Sequence, residues 1–222
     1  LPTNATWRSV TYGNGKFVAV AGGNVTNIAA YSTDGINWTQ TTLPESGYWK
    51  SVAYGNGKFV AITGGNGFGT GNNIAAYSSN GINWTQTSLP YNSSWTAVTY
   101  GNGQFVAISD NQSNETAYSS NGINWSASNM PVLSNWYCVT YGNGMFFAAT
   151  YGYSIAAYSM DGINWTQIAL PATASWYSAA YGNGTFVTVG ASSNIAAYSV
   201  PLNPLDTTLL ALYNRIVALE NA

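Results

Sequence analysis

The feature that most constrains this chain is that it repeats itself. Tyr-Gly-Asn-Gly occurs five times, beginning at Tyr12, Tyr54, Tyr100, Tyr141 and Tyr181, at spacings of 42, 46, 41 and 40 residues. A tryptophan stands five residues ahead of each copy, at Trp7, Trp49, Trp95, Trp136 and Trp176. Downstream of each copy comes Ala-Tyr-Ser, centred on Tyr31, Tyr77, Tyr118, Tyr158 and Tyr198. Four of the five then continue to Gly-Ile-Asn-Trp, ending at Trp38, Trp84, Trp125 and Trp165. A unit of this size cannot bury its apolar surface alone, so the five must stack on one another.

One unit reads as four short strands, at 49–54, 58–63, 73–78 and 84–87. Gly55-Asn56-Gly57 and Asn80-Gly81 are the turns, because asparagine and glycine tolerate the positive φ that tight hairpins require. The strands are rich in β-branched and aromatic residues and neither face is consistently polar, as in sheets covered on both sides. Four-stranded units of about 40–45 residues repeated radially describe a β-propeller. The expected fold is all-β: a five-bladed β-propeller of four-stranded blades over residues 1–200, followed by a linker and a short C-terminal helix at 201–222. The fifth unit has no Gly-Ile-Asn-Trp and hence no fourth strand. Leu1-Pro2 aligns with Leu43-Pro44, so a strand ahead of Leu1 is one way to complete that blade; otherwise its open edge must be covered by something else. The start at Leu1 rather than Met leads us to expect a processed chain or a fragment.

The stretch Ser32-Thr33-Asp34-Gly35-Ile36-Asn37-Trp38 resembles a shortened Asp-box, the hairpin of sialidase-like (BNR-type) propellers, and it recurs in four units. That resemblance implies a propeller in which the acidic residue braces the turn and the tryptophan packs between sheets. The bracing position holds Asp34 and Asp161 but also Asn80 and Asn121. Both residue types accept hydrogen bonds from turn backbone and only one carries charge, so these four are read as structural turn caps and not as metal or acid–base groups.

After two prolines the texture changes. Leu205, Leu209, Leu212, Ile216 and Leu219 are spaced 4, 3, 4 and 3, an a/d stripe, with Arg215 and Glu220 at flanking g and e positions. Arg215 to Glu220 also resembles the short Arg-h-x-x-h-Glu motif (h apolar) of parallel three-stranded coiled coils. The favoured expectation is a homotrimer through this helix; the alternatives are a helix docked on its own ring and an unstructured tail.

Composition narrows the chemistry. The chain has no histidine, one cysteine (Cys138), five Lys/Arg and 5% charged residues, against about 25% in an average soluble domain. Zinc sites, disulfides and histidine-based catalysis lack their residues, and no basic patch for nucleic acid or anionic lipid exists. No apolar run is long enough to cross a membrane. The arginine cluster of a working sialidase cannot be built from Arg8 alone, and the few carboxylates offer no facing pair. The expectation is a protein that is not an enzyme, with no metal and no cofactor.

The surface is rich in amides, hydroxyls and aromatic rings, which suits sugars. Candidate ligand-binding residues are the first-strand Trp7, Trp49, Trp95, Trp136 and Trp176. Phe68, Tyr151 and Tyr153 join them, in loops that vary while the framework does not. Taken together, a low-charge head on a trimerising stalk resembles viral and phage fibre proteins. The expected function is a trimeric virion fibre or decoration protein, on a virion surface or extracellular, binding a surface glycan or another virion protein. The alternative is a secreted lectin acting as a monomer.

Overall fold

The structure is a computed structural model and describes residues 1–65 and 71–199. Among them are fifteen strands and no helix. The first unit contains β1 (Trp7–Gly13), β2 (Lys16–Ala21), β3 (Thr26–Ser32) and the first half of β4 (Thr39–Gly55). The second takes the other half of β4, then β5 (Lys58–Gly64), β6 (Asn72–Ser78) and the first half of β7 (Thr85–Gly101). The third continues along β7 through β8 (Gln104–Asp110), β9 (Ser113–Ser119) and β10 (Ser126–Ser134). In the fourth are β11 (Trp136–Gly142), β12 (Met145–Ser159) and the start of β13 (Thr166–Gly182). The rest of β13, β14 (Thr185–Gly190) and β15 (Ala196–Tyr198) form the fifth. Every pairing is antiparallel between neighbours in sequence.

The repeat predicts the blades, but the closed propeller of five equal four-stranded blades needs correction. The strand that ends one unit runs without interruption into the strand that opens the next, as in the 17-residue β4, β7 and β13. Hydrogen-bonded order therefore reads as one sheet of ten strands and one of five, which meet at the gap between β10 and β11. In the fourth unit the second and third strands form a single 15-residue element, β12. Among the described residues the fifth unit has three strands, and no strand joins it to the first: the array is an arc, not a closed ring. The C-terminal helix expected from Leu205, Leu209, Leu212, Arg215, Ile216, Leu219 and Glu220 lies outside the described residues, as does Phe68.

Neighbouring units are joined by the same side chains each time. Val18, Val20, Ala29 and Leu43 of the first unit pack against Trp49, Val52, Phe59 and Ala61 of the second. Val60, Ile62, Ala75 and Leu89 then meet Trp95, Val98, Phe105 and Ala107 in the same way. In the first four units the last residue of the inner strand is a glycine for a steric reason. A Cβ on Gly13 would lie 2.0 Å from the Tyr54 ring, and the same holds for Gly55 on Tyr100, Gly101 on Tyr141 and Gly142 on Tyr181.

Hydroxyls add cross-ties: Thr41, Thr87 and Ser128 donate to the carbonyls of Ile82, Ile123 and Ile163 in the following unit, each at 2.6 Å. The fourth unit has Ile168 at that place, where the fifth offers no matching hairpin among the described residues.

Candidate functional site

The strands give each blade two ends with different jobs. At one end lie the turns between first and second strands and the Ser-x-Asp/Asn-Gly hairpins. Asn14, Asn56, Asn102, Asn143 and Asn183 adopt φ of 43–48°, each followed by a glycine at 71–79°. Three of these asparagines also donate across to the next unit's hairpin, Asn14 to the Ser79 carbonyl, Asn56 to Ser120 and Asn102 to Met160.

Asp34 Oδ1 accepts from the Ile36 and Asn37 amides at 2.8 and 2.7 Å and from the Ser32 hydroxyl at 2.9 Å. Asn80 and Asn121 accept the equivalent bonds at 2.9–3.1 Å. Only the aspartates take a further one, from Asn37 Nδ2 to Asp34 Oδ2 and from Asn164 Nδ2 to Asp161 Oδ2, both 2.8 Å. The Asn37 and Ile36 amides, with Asn37 and Ser32 side chains, hold the Asp34 carboxyl far below its usual range. For Asp161 partial burial pushes upward, but donors from Asn164, Ile163 and Ser159 outweigh it and bring the group down to about 2. At this end the Oδ1 atoms of the four caps are spent on the turn itself.

The other end is different. The opening residues of all five first strands converge on one pocket of about 360 Å³, lined by Arg8, Lys50, Thr96, Asp110, Tyr137 and Tyr177 among others. Since each unit contributes its innermost strand, this is the axis of the arc. Two of the chain's five cationic side chains meet here with one of its seven acids. The stem of Lys50 lies over Gly64, whose Cβ would fall 2.7 Å from Lys50 Cε.

Burial pushes the Lys50 amine below its ordinary value and the Arg8 charge pushes the same way, against an opposing pull from Asp110 and Tyr177. Tyr137 packs against two other rings in tilted geometry, with centroids 4.7 Å from Tyr177 and 5.4 Å from Tyr151. Burial, then a hydrogen bond to and repulsion from Tyr177, raise the Tyr137 phenol far above its usual range, so it stays a neutral donor. Beside this ladder Gln112 Nε2 donates to the Tyr153 hydroxyl at 2.7 Å, and the Gln112 amide to Asn135 Oδ1 at 2.9 Å.

Four of the first-strand tryptophans are buried between units; of these Trp95 also lines the pocket, and Trp7 lines a separate apolar cavity. Trp49, Trp95, Trp136 and Trp176 are 0% exposed and pack between units. Four of the five indole N–H groups donate to carbonyls four residues back: Trp7 to Thr3, Trp49 to Glu45, Trp95 to Tyr91 and Trp136 to Val132. Trp7, on the outer face of the first unit, is partly exposed. Tyr151 reaches the pocket only through its contact with Tyr137, and Tyr153 through none of the lining residues; neither lines the pocket itself. Cys138 lies against the pocket but is 7% exposed, and burial pushes its thiol up to about 12.

The residues that sequence reasoning passed over are the ones directly after each tryptophan. That place reads Arg8, Lys50, Thr96, Tyr137, Tyr177 in a repeat that hardly varies around it. A place that holds a cation in two units, threonine in one and tyrosine in two, between an invariant tryptophan and a small residue, was the available signal. Asp110, at the end of β8, shows no such pattern.

Among the described residues no group of three or more His, Cys, Asp or Glu side chains could hold a metal ion, and no helix is long and apolar enough to cross a membrane. No protein-family model and no curated protein sequence matches the chain. Solved structures do match in fold. Virginiamycin B lyase from Staphylococcus aureus aligns at 14% identity with a TM-score of 0.73, covering 86% of this chain and 65% of that one. The chain thus spans less than two thirds of that structure's length. A streptogramin B lyase structure aligns at 14% identity and 0.77, covering 90% and 67%. YCF48 from Cyanidioschyzon merolae aligns at 13% and 0.68, covering 98% and 72%. At these identities the likeness establishes a propeller fold.

It also corrects two expectations. Nothing among these structures is a virion fibre, decoration protein or lectin, and two of the three are lyases, so the predicted function and the exclusion of catalysis both fall. The physical reason lies in averaging. A charge content of 5% looks inert along the chain, yet the fold gathers Arg8, Lys50 and Asp110 into one pocket with two phenols.

Proposed function

We propose that the axial pocket binds a small, planar organic anion and that Lys50 is its central polar contact. The observation that carries this reading is the convergence of Arg8, Lys50, Asp110, Tyr137 and Tyr177 in one cavity of about 360 Å³. That volume is at the small end for ligand sites of about 300–1,000 Å³, which suits a single ring bearing a carboxylate. The carboxylate goes to the Arg8 guanidinium and Lys50 ammonium, whose charge-assisted bonds are the strongest available here. The ring goes against the Tyr137–Tyr177 ladder, offset or edge-on. Asp110 takes a ligand hydroxyl or N–H, and the neutral Tyr137 phenol donates to a second oxygen.

A lysine whose amine is made less basic by burial and a neighbouring cation is also the kind that acts as a base or attacks a carbonyl. Turnover of such a ligand is therefore part of the proposal. One matching structure is a catalytically inactive histidine-to-alanine variant of virginiamycin B lyase with quinupristin. This chain has no histidine, so any chemistry here rests on Lys50 and the phenols. The hairpins' likeness to Asp-boxes fits a shared propeller ancestry, and self-association through Leu209, Leu212, Ile216 and Leu219 is a separate proposal from sequence.

Titration of 4-hydroxybenzoate by calorimetry tests the site. Binding is expected in the wild type, weakened about tenfold or more in Lys50→Ala, since a charged hydrogen bond contributes about 1.5–3 kcal/mol. Equal binding by wild type, Lys50→Ala and Arg8→Ala would overturn the proposal.

A further inference from the structure

The axial pocket has a neighbour. A second cavity, of about 420 Å³, lies against the first unit, and Arg8 and Ser9 line both. The rest of its wall is Leu1, Trp7, Val10, Ala19 and Trp38. The two hollows that adjoin at Arg8 therefore differ in kind. One holds Lys50, Asp110 and the phenols of Tyr137 and Tyr177, while in the other Arg8 is the single charged side chain.

Both properties follow from the repeat. In every unit the pairing of the first strand shifts register at the residue after the tryptophan, as between Trp7 and Ser9 or Trp49 and Ser51. Arg8 and Lys50 are thus the extra residues of β-bulges, which re-aim a side chain out of the alternation of the strand. The apolar wall comes from the break in the arc. First strands carry tryptophan and valine because in later units these press against the preceding unit: Trp49 and Trp95 are 0% exposed, and Val52 and Val98 are 4% and 6%. Among the described residues no strand lies ahead of β1, so Val10 and Leu1 each stand 60% exposed on the same kind of surface, with Ala19 below them at 4%.

We infer that the two cavities take one ligand: an aromatic carboxylate with an apolar chain on the ring carbon beside its carboxylate, the head group on Arg8 and Lys50 and the chain running past Arg8 into the first unit's cavity. The inference rests on the reading of the axial pocket given above and narrows it from a bare ring acid to an amphipathic one. A carboxylate held by Arg8 and Lys50, with its ring against Tyr137 and Tyr177, has its adjacent ring position nearest Arg8. A substituent there is the one that can cross into the second cavity. The chemistry matches in the same order, cations first and hydrocarbon after, and covering Val10, Leu1 and Trp7 removes apolar surface from water.

The test is calorimetry on the full chain with 4-hydroxybenzoate and with 2-methyl-, 2-butyl- and 2-hexylbenzoate. Affinity is expected to rise about two- to fourfold per methylene along the alkyl series, the gain from burying hydrocarbon. Val10→Asn makes the cavity wall polar without adding charge, and Ala19→Leu fills it. Val10 is exposed and Ala19 opens on the cavity, so neither change touches a contact between units. Both variants are expected to bind 4-hydroxybenzoate within about twofold of wild type and to lose the gain with chain length. Lys50→Ala should weaken every member of the series by the same factor of about ten. Three results would overturn the inference. If 4-hydroxybenzoate binds through Lys50 but the alkyl chain adds nothing, or adds as much in both cavity variants, the axial site stands and its extension falls. If the chain-length gain is present and Lys50→Ala has no effect on it or on overall affinity, the cavity takes apolar chains by itself and the two sites are not joined. If neither 4-hydroxybenzoate nor any alkylbenzoate binds, the reading of the axial pocket falls and the inference with it.

Discussion

The two ends of the blades are built from the same strands and differ in what the repeat has been allowed to change. At the hairpin end, Ser, Asp or Asn, Gly and Trp recur in four units, and the side-chain oxygens are spent on turn amides. At the pocket end the residue after each tryptophan is Arg8, Lys50, Thr96, Tyr137 or Tyr177. Both ends are anchored on the same core of inter-unit contacts. The difference teaches that in a repeat protein a fixed residue marks what every unit needs in order to fold. A place that holds Arg, Lys, Thr or Tyr in otherwise equivalent units marks what the assembly does with its axis.

The comparison predicts that stability and ligand binding separate along the blade. The largest effect is expected from removing a sealing tryptophan. Trp95→Ala should cost about 3–5 kcal/mol in denaturant unfolding, whereas Tyr177→Ala, at 45% exposure, should cost under about 1 kcal/mol and still abolish most 4-hydroxybenzoate binding. A large stability loss at Tyr177 would make it a core residue and remove it from the site.

Next in size is the glycine pair. Gly101→Ala forces a Cβ to 2.0 Å from the Tyr141 ring and should destabilise by about 1–3 kcal/mol. Gly182→Ala, with nothing within 4 Å, should leave the unfolding midpoint of dilute protein within about 0.5 kcal/mol. Equal effects at the two would mean that the fifth unit is sealed like the others.

How far the sequence was legible follows from the same distinction. The Tyr-Gly-Asn-Gly turns, the strand order within a unit and the capping role drawn for Asp34 and Asn80 could be read because local chemistry decides them. Period and turn residues do not encode curvature. Whether Gly182 meets Tyr12 depends on the angle summed over four interfaces, so the array's closure was misjudged. The pocket was missed for a related reason. Arg8, Lys50 and Tyr137 are each separated by more than forty residues and lie beside tryptophans that drew attention as aromatic ligand groups. Those rings are the cement between units. The residue beside each of them faces the axis.

Smaller effects sharpen the contrast further. Cys138, with its thiol pushed up to about 12, should resist thiol reagents in the native state and react only on unfolding. Rapid labelling of native protein would mean the pocket reaches deeper than its lining indicates. The smallest effect is expected at the hairpin end. The Asp161 carboxyl is held at about 2 against an ordinary 3.8. Its depressed value contributes stability above 3.8 that is lost as pH falls through about 2. Wild type should therefore be slightly more stable than Asp161→Asn at neutral pH, with the gap closing between pH 4 and 2. Binding of 4-hydroxybenzoate should be the same in both.

The most direct test of the axial site uses the three lysines, Lys16, Lys50 and Lys58. Reductive methylation with ¹³C-formaldehyde gives each a separate NMR signal, assigned through Lys50→Arg. The account predicts that the Lys50 signal titrates below the ordinary lysine value and that it alone shifts when 4-hydroxybenzoate is added. The added anion should move its midpoint upward, since an opposite charge favours the ammonium. A Lys50 signal that titrates at the ordinary value and ignores the added carboxylate would contradict the central claim.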